Sequence, residues 1–472
     1  MSGPGVDRVL RSRVARPPRN AAGRVDLDAL AHALRPCDLL ETAGAGTGWS
    51  YVAPHGGAVL RDDGRRSVLT HRDGRDEDLG TDPFAAIDIV CARLGVTPDT
   101  PVADDPRLPP LTGGLLGALS YDLARRVERL EQVARRDRRH AHLHLRQVDL
   151  LVAVAPDRGE AWIVGRDPDG RGDLEERARD LLARISHTGP VPSVEAPAPH
   201  TATTSLPRED YLRAVERVLE RIAAGDAFQV NLAQRLTARW PHDTHALYRA
   251  LRACSAAPYG AALPEIGLAS ISPETFLTVD GHEVRTRPIK GTRPRASDPR
   301  IDAAHADDLV TSEKDRAENV MVVDLERNDL GRVCVPGTVR VPDLLRLEAH
   351  PTVWHLVSTV SGHLRPGVGF GGLLRATFPC GSITGAPKVA AMNLIEALEP
   401  VRRDWYCGAV GFLAPGRARL SVAIRTATLL DDGRVDHGAG GGIVADSDPA
   451  AEYAESLDKA AAFLRTVGAR PA

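Results

Sequence analysis

A proline-rich segment divides this chain of 472 residues into two parts. Four prolines stand with Ser, Thr and Gly between Ser186 and Ser205, a composition typical of a surface connector. Strand-like and helix-like pieces alternate before it, and helix signals resume after it. The polar, arginine-rich N-terminus has no such pattern. We therefore predict a disordered segment (1–20), an N-terminal region (21–185), a linker (186–205) and a C-terminal domain (206–470) that carries nearly every chemically suggestive motif.

Composition excludes several classes of protein. The net charge is −3, which gives no basic field for nucleic acid or an anionic membrane. No apolar run approaches the roughly 18 residues that span a bilayer, and the N-terminus lacks the apolar middle of a secretory signal. The six cysteines form no CxxC pair, which argues against a disulfide framework or a zinc knuckle. We expect a cytoplasmic enzyme that binds neither nucleic acid nor membrane.

The segment Arg287–Thr292 places a lysine where a nucleophile could sit. Pro288 fixes its own φ and removes a donor, while Gly291 lets the backbone come close to a ligand or another segment. A lysine amine held in such a turn can attack carbon. Taken alone, the segment favours a solvated turn residue at Lys290, and only its surroundings point to a nucleophile.

Two acidic pairs have the spacing of one helical face. Asp315 and Glu318 lie three residues apart, as do Glu452 and Glu455. Two helices that each present a carboxylate pair could hold one Mg²⁺, which prefers oxygen ligands and keeps several waters. The alternative for each pair is a solvated helix face.

Glycine-rich segments and one arginine suggest anion binding. Phe378–Lys388 and Gly438–Ile443 could turn backbone N–H groups toward a carboxylate, although a tight turn would explain either one. Ser421–Ala427 is predicted as a strand with Arg425 in its midst. A buried arginine needs an anionic partner, which is either a substrate carboxylate or a protein carboxylate.

Three further residues complete a possible acid–base set. Glu274, upstream of Lys290 on what could be the facing strand, could protonate a leaving hydroxyl if partly desolvated. His355 could hydrogen-bond a substrate hydroxyl or be a satisfied core histidine. Gln229 is neutral and cannot act as a base.

In this order, the motifs resemble the chorismate-utilising enzymes, the family of anthranilate synthase component I, isochorismate synthase and salicylate synthase. The resemblance runs from Gly225 to Lys459 and more loosely from Gly113 to Arg126. It implies an α+β fold: a two-half α/β sandwich with large antiparallel sheets, like that of anthranilate synthase component I, with the active site between the sheets.

Within the family, the lysine at position 290 resembles that of the branch that forms aminodeoxychorismate, since the anthranilate and salicylate branches normally have alanine at this position of the turn. The implied enzyme is a transaminase-class chorismate aminase. Its lysine attacks C2 of chorismate and expels the C4 hydroxyl; ammonia then attacks C4 and releases the lysine as 4-amino-4-deoxychorismate forms. Splitting one difficult displacement into two follows the general logic of covalent catalysis.

The resemblance also implies a role for each site residue. Glu274 would be the acid for the departing hydroxyl. Glu318 and Glu455 would bind Mg²⁺, with Asp315 and Glu452 reaching it through water. The substrate would be held by a larger set: Arg425 and Tyr406 at the enolpyruvyl carboxylate with backbone N–H groups near Gly441 and Gly442, and Thr292, His355, Thr384, Lys388, Lys459 and Gln229 lining the site.

The implied partner is a separate glutamine amidotransferase subunit that supplies ammonia, because the sequence shows no nucleophilic cysteine elbow for one of its own. Asp38–Thr42 resembles the opening of a tryptophan pocket in relatives but ends in Thr rather than Ser, which leaves tryptophan binding open.

Two alternatives remain for the whole chain: an anthranilate synthase component I and a catalytically inactive scaffold homologue.

Overall fold

A computed structural model describes residues 9–42, 48–102, 105, 108–155 and 157–471. Within these residues, two large β-sheets are flanked by helices. The α-helices are α1 (Leu27–Ala33), α2 (Pro83–Arg93), α3 (Leu174–Ser186), α4 (Arg208–Ala223), α5 (Thr244–Cys254), α6 (Pro299–Thr311), α7 (Glu313–Gly331), α8 (Phe370–Thr377), α9 (Lys388–Leu398) and α10 (Pro449–Val467). Short 3₁₀ helices cover Tyr121–Arg126, Pro264–Ile266 and Gly381–Ile383.

The first sheet has thirteen strands among the residues described. Its strands are β1 (Leu10–Arg13), β2 (Cys37–Glu41), β3 (Ser50–Pro54), β9 (Leu150–Ala155), β10 (Glu160–Gly165), β11 (His200–Thr204), β12 (Gln229–Arg239), β13 (Tyr259–Leu263), β14 (Leu268–Ser272), β20 (Gly385–Ala386), β23 (Thr426–Leu429), β24 (Arg434–Ile443) and β25 (Ala469–Pro471). Their order is β1-β10-β9-β3-β2-β13-β14-β23-β24-β12-β11-β25, with β20 on β12. Only the β11–β25 pair within this described sheet is parallel.

The second sheet is antiparallel, with twelve strands in the described part of the chain. They are β4 (Val59–Asp62), β5 (Ser67–Thr70), β6 (Asp76–Asp78), β7 (Gly114–Leu119), β8 (Leu143–Val148), β15 (Thr275–Asp280), β16 (Glu283–Arg287), β17 (Ile289–Pro294), β18 (Arg340–Ala349), β19 (Val353–His363), β21 (Ala409–Ala414) and β22 (Arg417–Val422). Their order is β17-β19-β16-β15-β22-β21-β7-β8-β4-β5-β6, with β18 on β19.

Side-chain alternation along the strands builds the layers of the core. Leu39 packs with α1, α3, α5 and α10 on the outer face of the first sheet. Its neighbour Leu40 points the other way and packs with Phe412 of the second sheet. The outer face of the second sheet is covered by α2, α7, α8 and α9. The predicted α+β sandwich with large antiparallel sheets is therefore confirmed.

Both sheets combine strands from the two parts of the chain. In the first sheet β13 pairs with β2, and in the second β21 pairs with β7. The linker therefore does not separate two independent sheets. Each sheet continues without a break from the N-terminal region into the C-terminal one.

The structure corrects two predicted boundaries. Disorder over residues 1–20 is wrong for Leu10–Arg13, because this segment pairs with β10 and Val14 is buried behind it. Residues 1–8 lie outside the described part. The linker 186–205 ends in strand β11, which pairs with β12 and β25. No described helix is long and apolar enough to cross a membrane.

Candidate active site

Strand β17 brings Lys290 against the first turns of α7. Gly291 has φ +85°, and a Cβ there would lie 3.0 Å from the Cβ of Asp315. Only glycine adopts this conformation easily and leaves room for the helix. The turn therefore holds the lysine next to the helix that carries the first acidic pair.

The Lys290 side chain faces a group of carboxyls. Burial raises the pKa values of Glu274 and Glu318, and the positive charge of Lys290 opposes both rises. Burial would also raise the pKa of Glu455, but Lys459 outweighs it and Lys290 adds to the lowering. One amine thus acts on three carboxyls from three different elements. The amine therefore lies near all three carboxyls.

Glu274 is a buried carboxyl at the turn between β14 and β15, with 5% of its surface exposed. The Ile289 backbone N–H donates to its Oε1 at 3.4 Å, which ties it to the residue before Lys290. Burial, the largest effect, raises its pKa and outweighs the hydrogen bond from Ser382. A glutamic acid that keeps its proton closer to neutral pH suits a general acid.

Carboxyl groups of α7 and α10 face each other across the same space. Burial raises the Glu318 pKa, and the negative charge of Glu452 is among the further causes of the rise. Ser447 donates to Glu452 Oε1 at 2.6 Å. The other oxygen, Oε2, is buried without a hydrogen-bond partner among the described residues. A Cβ at Gly441 would lie 2.9 Å from this Oε2 and 3.6 Å from Glu455 Oε1.

This donor set fits a Mg²⁺ ion. Carboxylate oxygens are the ligands that Mg²⁺ prefers, and it usually takes one or two of them beside waters and substrate oxygens. The orphaned Oε2 of Glu452 is an acceptor that a hydrated cation would satisfy. No three His, Cys, Asp or Glu side chains of the described ranges lie close enough to form a complete protein site. Asp315 is instead engaged by Arg293 at 3.0 Å.

Arg425 does not lie within a strand. β22 ends at Val422 and β23 begins at Thr426, and Arg425 between them has φ +51°. The predicted continuous strand is wrong here because the chain leaves one sheet and enters the other at this point. Burial lowers the Arg425 pKa, and its neighbour Tyr406 opposes this fall. None of the ion pairs among the described residues involves Arg425, so its guanidinium is available for an anionic ligand.

Tyr406 packs against the glycine-rich strand β24. A Cβ at Gly438 would lie 2.2 Å from Cγ of the Tyr406 ring, so only glycine allows this contact. Burial raises the pKa of the Tyr406 hydroxyl well above its usual range. The hydroxyl is therefore a neutral hydrogen-bonding group beside Arg425.

His355 and Thr292 form a pair on neighbouring strands. The Thr292 hydroxyl lies 2.9 Å from Nδ1 of His355. Burial, helped by the charges of His350 and Arg425, lowers the pKa of His355 to about 4. A neutral imidazole at physiological pH can donate or accept a hydrogen bond but is a poor acid.

Gln229 and Lys459 approach the glycine strand from opposite sides. Gln229 is 1% exposed, and both its amide atoms lack partners among the described residues. A Cβ at Gly442 would lie 2.4 Å from its Nε2. Lys459 Nζ donates to the Gly440 carbonyl at 3.0 Å and to Glu455 at 2.7 Å.

Thr384 and Lys388 hold the segment after α8. The Thr384 hydroxyl donates to the carbonyls of Cys380 and Gly381, both at 3.2 Å. Lys388 pairs with Asp329 and donates to the Pro379 carbonyl at 2.9 Å. The structure thus gives Lys388 a buried protein partner and does not bring it to the carboxyl group around Lys290.

Sequence reasoning missed three neighbours of the site. Ser382 hydrogen-bonds Glu274, and it lies inside the glycine-rich segment already singled out. Lys314 lies 4.0 Å from Glu452 and directly precedes Asp315. Glu326 follows Glu318 by two helical turns, and this i, i+8 spacing was the available signal.

The family model for chorismate binding enzymes matches residues 67–465. The chain belongs to this family. It is 42% identical over 409 residues to aminodeoxychorismate synthase component 1 of Klebsiella aerogenes, covering 84% of this chain and 86% of that protein. It is 39% identical over 420 residues to anthranilate synthase component 1 of Streptomyces coelicolor, covering 85% and 81%.

Solved structures agree with the predicted family fold. The chain superposes on anthranilate synthase component I of Streptococcus pneumoniae with a TM-score of 0.75 at 26% identity, covering 87% of this chain and 91% of that one. The menaquinone-specific isochorismate synthase of Escherichia coli superposes with a TM-score of 0.68 at 18% identity, covering 98% of this chain and 94% of that one. This likeness shows a shared fold and nothing further. Membership in the chorismate-binding family is therefore settled by sequence and fold together.

Proposed function

We propose that this chorismate-binding enzyme aminates chorismate to 4-amino-4-deoxychorismate in a Mg²⁺-dependent reaction that passes through a covalent adduct on Lys290. The observation that carries the proposal is the position of the lysine. Its amine acts on the carboxyls of Glu274, Glu318 and Glu455. The lysine therefore lies beside Glu318 and Glu455, which would hold a metal for the ring carboxylate. It also lies beside Glu274, the acid that would protonate the leaving hydroxyl.

In the first step the neutral amine of Lys290 attacks C2. Electron pairs of the ring diene shift toward C4, and the C4–O bond breaks as Glu274 protonates the departing oxygen. Water leaves, and the ring stays attached to the lysine as a secondary ammonium. Glu274 suits this role because it is buried, its pKa is raised by that burial, and it contacts the lysine strand.

In the second step ammonia attacks C4 and the same electron shift runs in reverse. The C2–N bond breaks and its electron pair returns to Lys290, which is released as a free amine. We expect the ammonia to come from a glutamine amidotransferase subunit, as the designation "component 1" of the relatives suggests. Free ammonia should replace that subunit in vitro.

The remaining residues bind and orient the substrate. Arg425 lacks a protein carboxylate partner in the described ranges and would take the enolpyruvyl carboxylate together with Tyr406. Glu318 and Glu455 would hold the metal, with Glu452 behind them. When bound, Mg²⁺ would neutralise the ring carboxylate and draw electron density toward it. His355 and Thr292 would hydrogen-bond the substrate as neutral groups.

Anthranilate synthesis is the second candidate, because anthranilate synthase components match this chain over a similar length. The match to the protein of Thermus thermophilus is 42% identical over 385 residues. That reaction requires amination at C2, the carbon that Lys290 would occupy in the proposed adduct. The neutral Gln229 also fits an enzyme whose own lysine supplies the C2 nucleophile, since no base is needed there to activate water.

Product analysis tests the proposal. The purified chain should be incubated with chorismate, Mg²⁺ and ammonium salt, and the products separated and weighed by mass spectrometry. We expect 4-amino-4-deoxychorismate and no anthranilate. Fluorescent anthranilate formed without any added lyase would establish the second candidate, and chorismate that is neither bound nor consumed would favour the scaffold homologue.

A further inference from the structure

A second buried glutamate lies behind the acid Glu274. Glu326 projects from α7, with 4% of its surface exposed. The Thr286 hydroxyl of β16 donates to its Oε2 at 2.9 Å. The Cys380 thiol donates to its Oε1 at 3.5 Å. No reaction step described above uses this carboxyl.

Hydrogen bonds connect the two carboxyls. The Cys380 sulfur lies 3.3 Å from Oγ of Ser382, and the Ser382 hydroxyl hydrogen-bonds Glu274. The series carboxyl, thiol, hydroxyl, carboxyl is therefore continuous from Glu326 to Glu274. All four side chains are at most 5% exposed, so bulk water does not compete for these bonds.

The charges around Glu326 favour its protonated form. Burial raises its pKa to about 8, and the negative charges of Glu274 and Asp329 add to the rise. Asp329 is itself compensated by Lys388, its nearest cation, and more weakly by Arg332. The hydrogen bonds from Thr286 and Cys380 oppose the rise only in part. A proton is thus held on the pair over the pH range in which most enzymes work.

We propose that Glu326 is the proton reserve of Glu274, which it reprotonates through Cys380 and Ser382 after Glu274 has protonated the leaving hydroxyl. When Glu326 is protonated, its O–H donates to the thiol sulfur and the thiol rotates to donate to Ser382. The O–H bond of Glu326 then breaks as the sulfur takes its proton. The thiol proton passes to Ser382, and the Ser382 proton passes to Glu274. The net change is one proton from Glu326 to Glu274, and solvent replaces it between turnovers. This role rests on the proposed function, because Glu274 acts as an acid only if a hydroxyl leaves.

The first test is the pH profile of kcat/KM for Glu326→Gln. With Glu326 present, the pair keeps a proton that can pass to Glu274 until Glu326 loses it near pH 8. With a neutral amide in its place, Glu274 has only its own proton and loses it at lower pH. We expect the alkaline limb to move down by about one pH unit, which is about a tenfold loss at alkaline pH. Activity at acid pH should stay near wild type. Superimposable profiles, or an equal loss at every pH, would overturn the proposal.

The second test is a matched pair at Cys380. Serine keeps a hydrogen-bonding group there and alanine does not, while both remove similar bulk. We expect Cys380→Ser to retain most of kcat and Cys380→Ala to lose about tenfold, roughly the effect of one lost hydrogen bond between buried groups. Equal rates in the two variants would remove the relay. This comparison also decides the matter if Glu326→Gln does not fold.

Infrared difference spectroscopy gives a readout that needs no turnover. At neutral pH the wild-type chain should show the carbonyl stretch of a protonated, buried carboxylic acid, and Glu326→Gln should lack it. Identical spectra would contradict a proton held on Glu326. If the wild-type chain forms no 4-amino-4-deoxychorismate, the proposed function fails independently of these spectra.

Discussion

Arg425 is held in a backbone conformation that residues with a side chain rarely adopt. Its φ is +51°, in the left-handed region, and this costs about 1 kcal/mol or more. The conformation occurs where the chain crosses from β22 to β23, and it sets a partly buried guanidinium beside Tyr406. The strain is therefore stored at the point where we place the substrate carboxylate.

We predict that Arg425→Lys raises KM for chorismate by about tenfold, the equivalent of about 1.4 kcal/mol. Lysine keeps the charge but loses the planar fork that binds a carboxylate with two hydrogen bonds. Steady-state kinetics would measure the change. Arg419→Lys is the matched control, because Arg419 binds Asp280 on the protein itself and should leave KM unchanged. Equal KM values in both variants would argue against a carboxylate site at Arg425.

At the scale of elements, strand β24 gives the site its shape. Its glycines admit neighbours that a Cβ would exclude: the Tyr406 ring at Gly438, Glu452 at Gly441 and Gln229 at Gly442. Glycine weakens a strand, so a run of glycines indicates close approach by other groups. This strand therefore lets side chains of α10 and β12 approach the same stretch of backbone.

We predict that Gly441→Ala raises the Mg²⁺ concentration needed for half-maximal activity by about tenfold. The new methyl group would lie 2.9 Å from Glu452 Oε2 and displace the α10 carboxylates, an overpacking that costs about 1–3 kcal/mol. Titration of activity with Mg²⁺ would measure it. Gly331→Ala, at the end of α7 with nothing within 4 Å of the new methyl, is the control. Wild-type Mg²⁺ dependence in Gly441→Ala would place the metal elsewhere.

At the scale of the whole molecule, both sheets run through the two parts of the chain. The β13–β2 and β21–β7 pairings join residues separated by more than two hundred positions in sequence. Removing the N-terminal part would expose an edge in the middle of each sheet, which leaves unpaired N–H and C=O groups.

We therefore predict one cooperative thermal transition for the full chain. Differential scanning calorimetry should give a single peak, because neither part has a sheet of its own. A fragment of residues 206–472 should not fold to a cooperative state. Two resolved transitions, or a stably folded fragment that binds chorismate, would contradict this account.

Local signals were enough to predict some elements. Asp448 caps the N-terminus of α10 and Pro449 begins the helix, a pair that marks a helix start in the sequence itself. The apolar run Leu150–Ala155 forms β9 and is buried on both faces, which is typical of a central strand. The acidic pairs and the lysine turn were recognisable from spacing and from the glycines that flank them.

Long-range contacts could not be predicted in this way. The break at Arg425 depends on which sheet each neighbouring strand joins, which local pattern does not encode. Asp315 was assigned to the metal, yet Arg293 engages it from a neighbouring strand. The contact of Glu326 with Cys380 joins α7 to a distant segment. Each of these facts follows from packing between elements far apart in sequence.

The most direct test of the account is the intact mass of the chain after incubation with chorismate and Mg²⁺ without ammonia. We predict an added mass of chorismate minus one water, located on Lys290 by peptide mapping and absent in Lys290→Ala. Lys459→Gln, which changes the other lysine near the carboxyls, should still form the adduct. An unmodified wild-type chain, or an adduct that persists in Lys290→Ala, would contradict covalent catalysis by this residue.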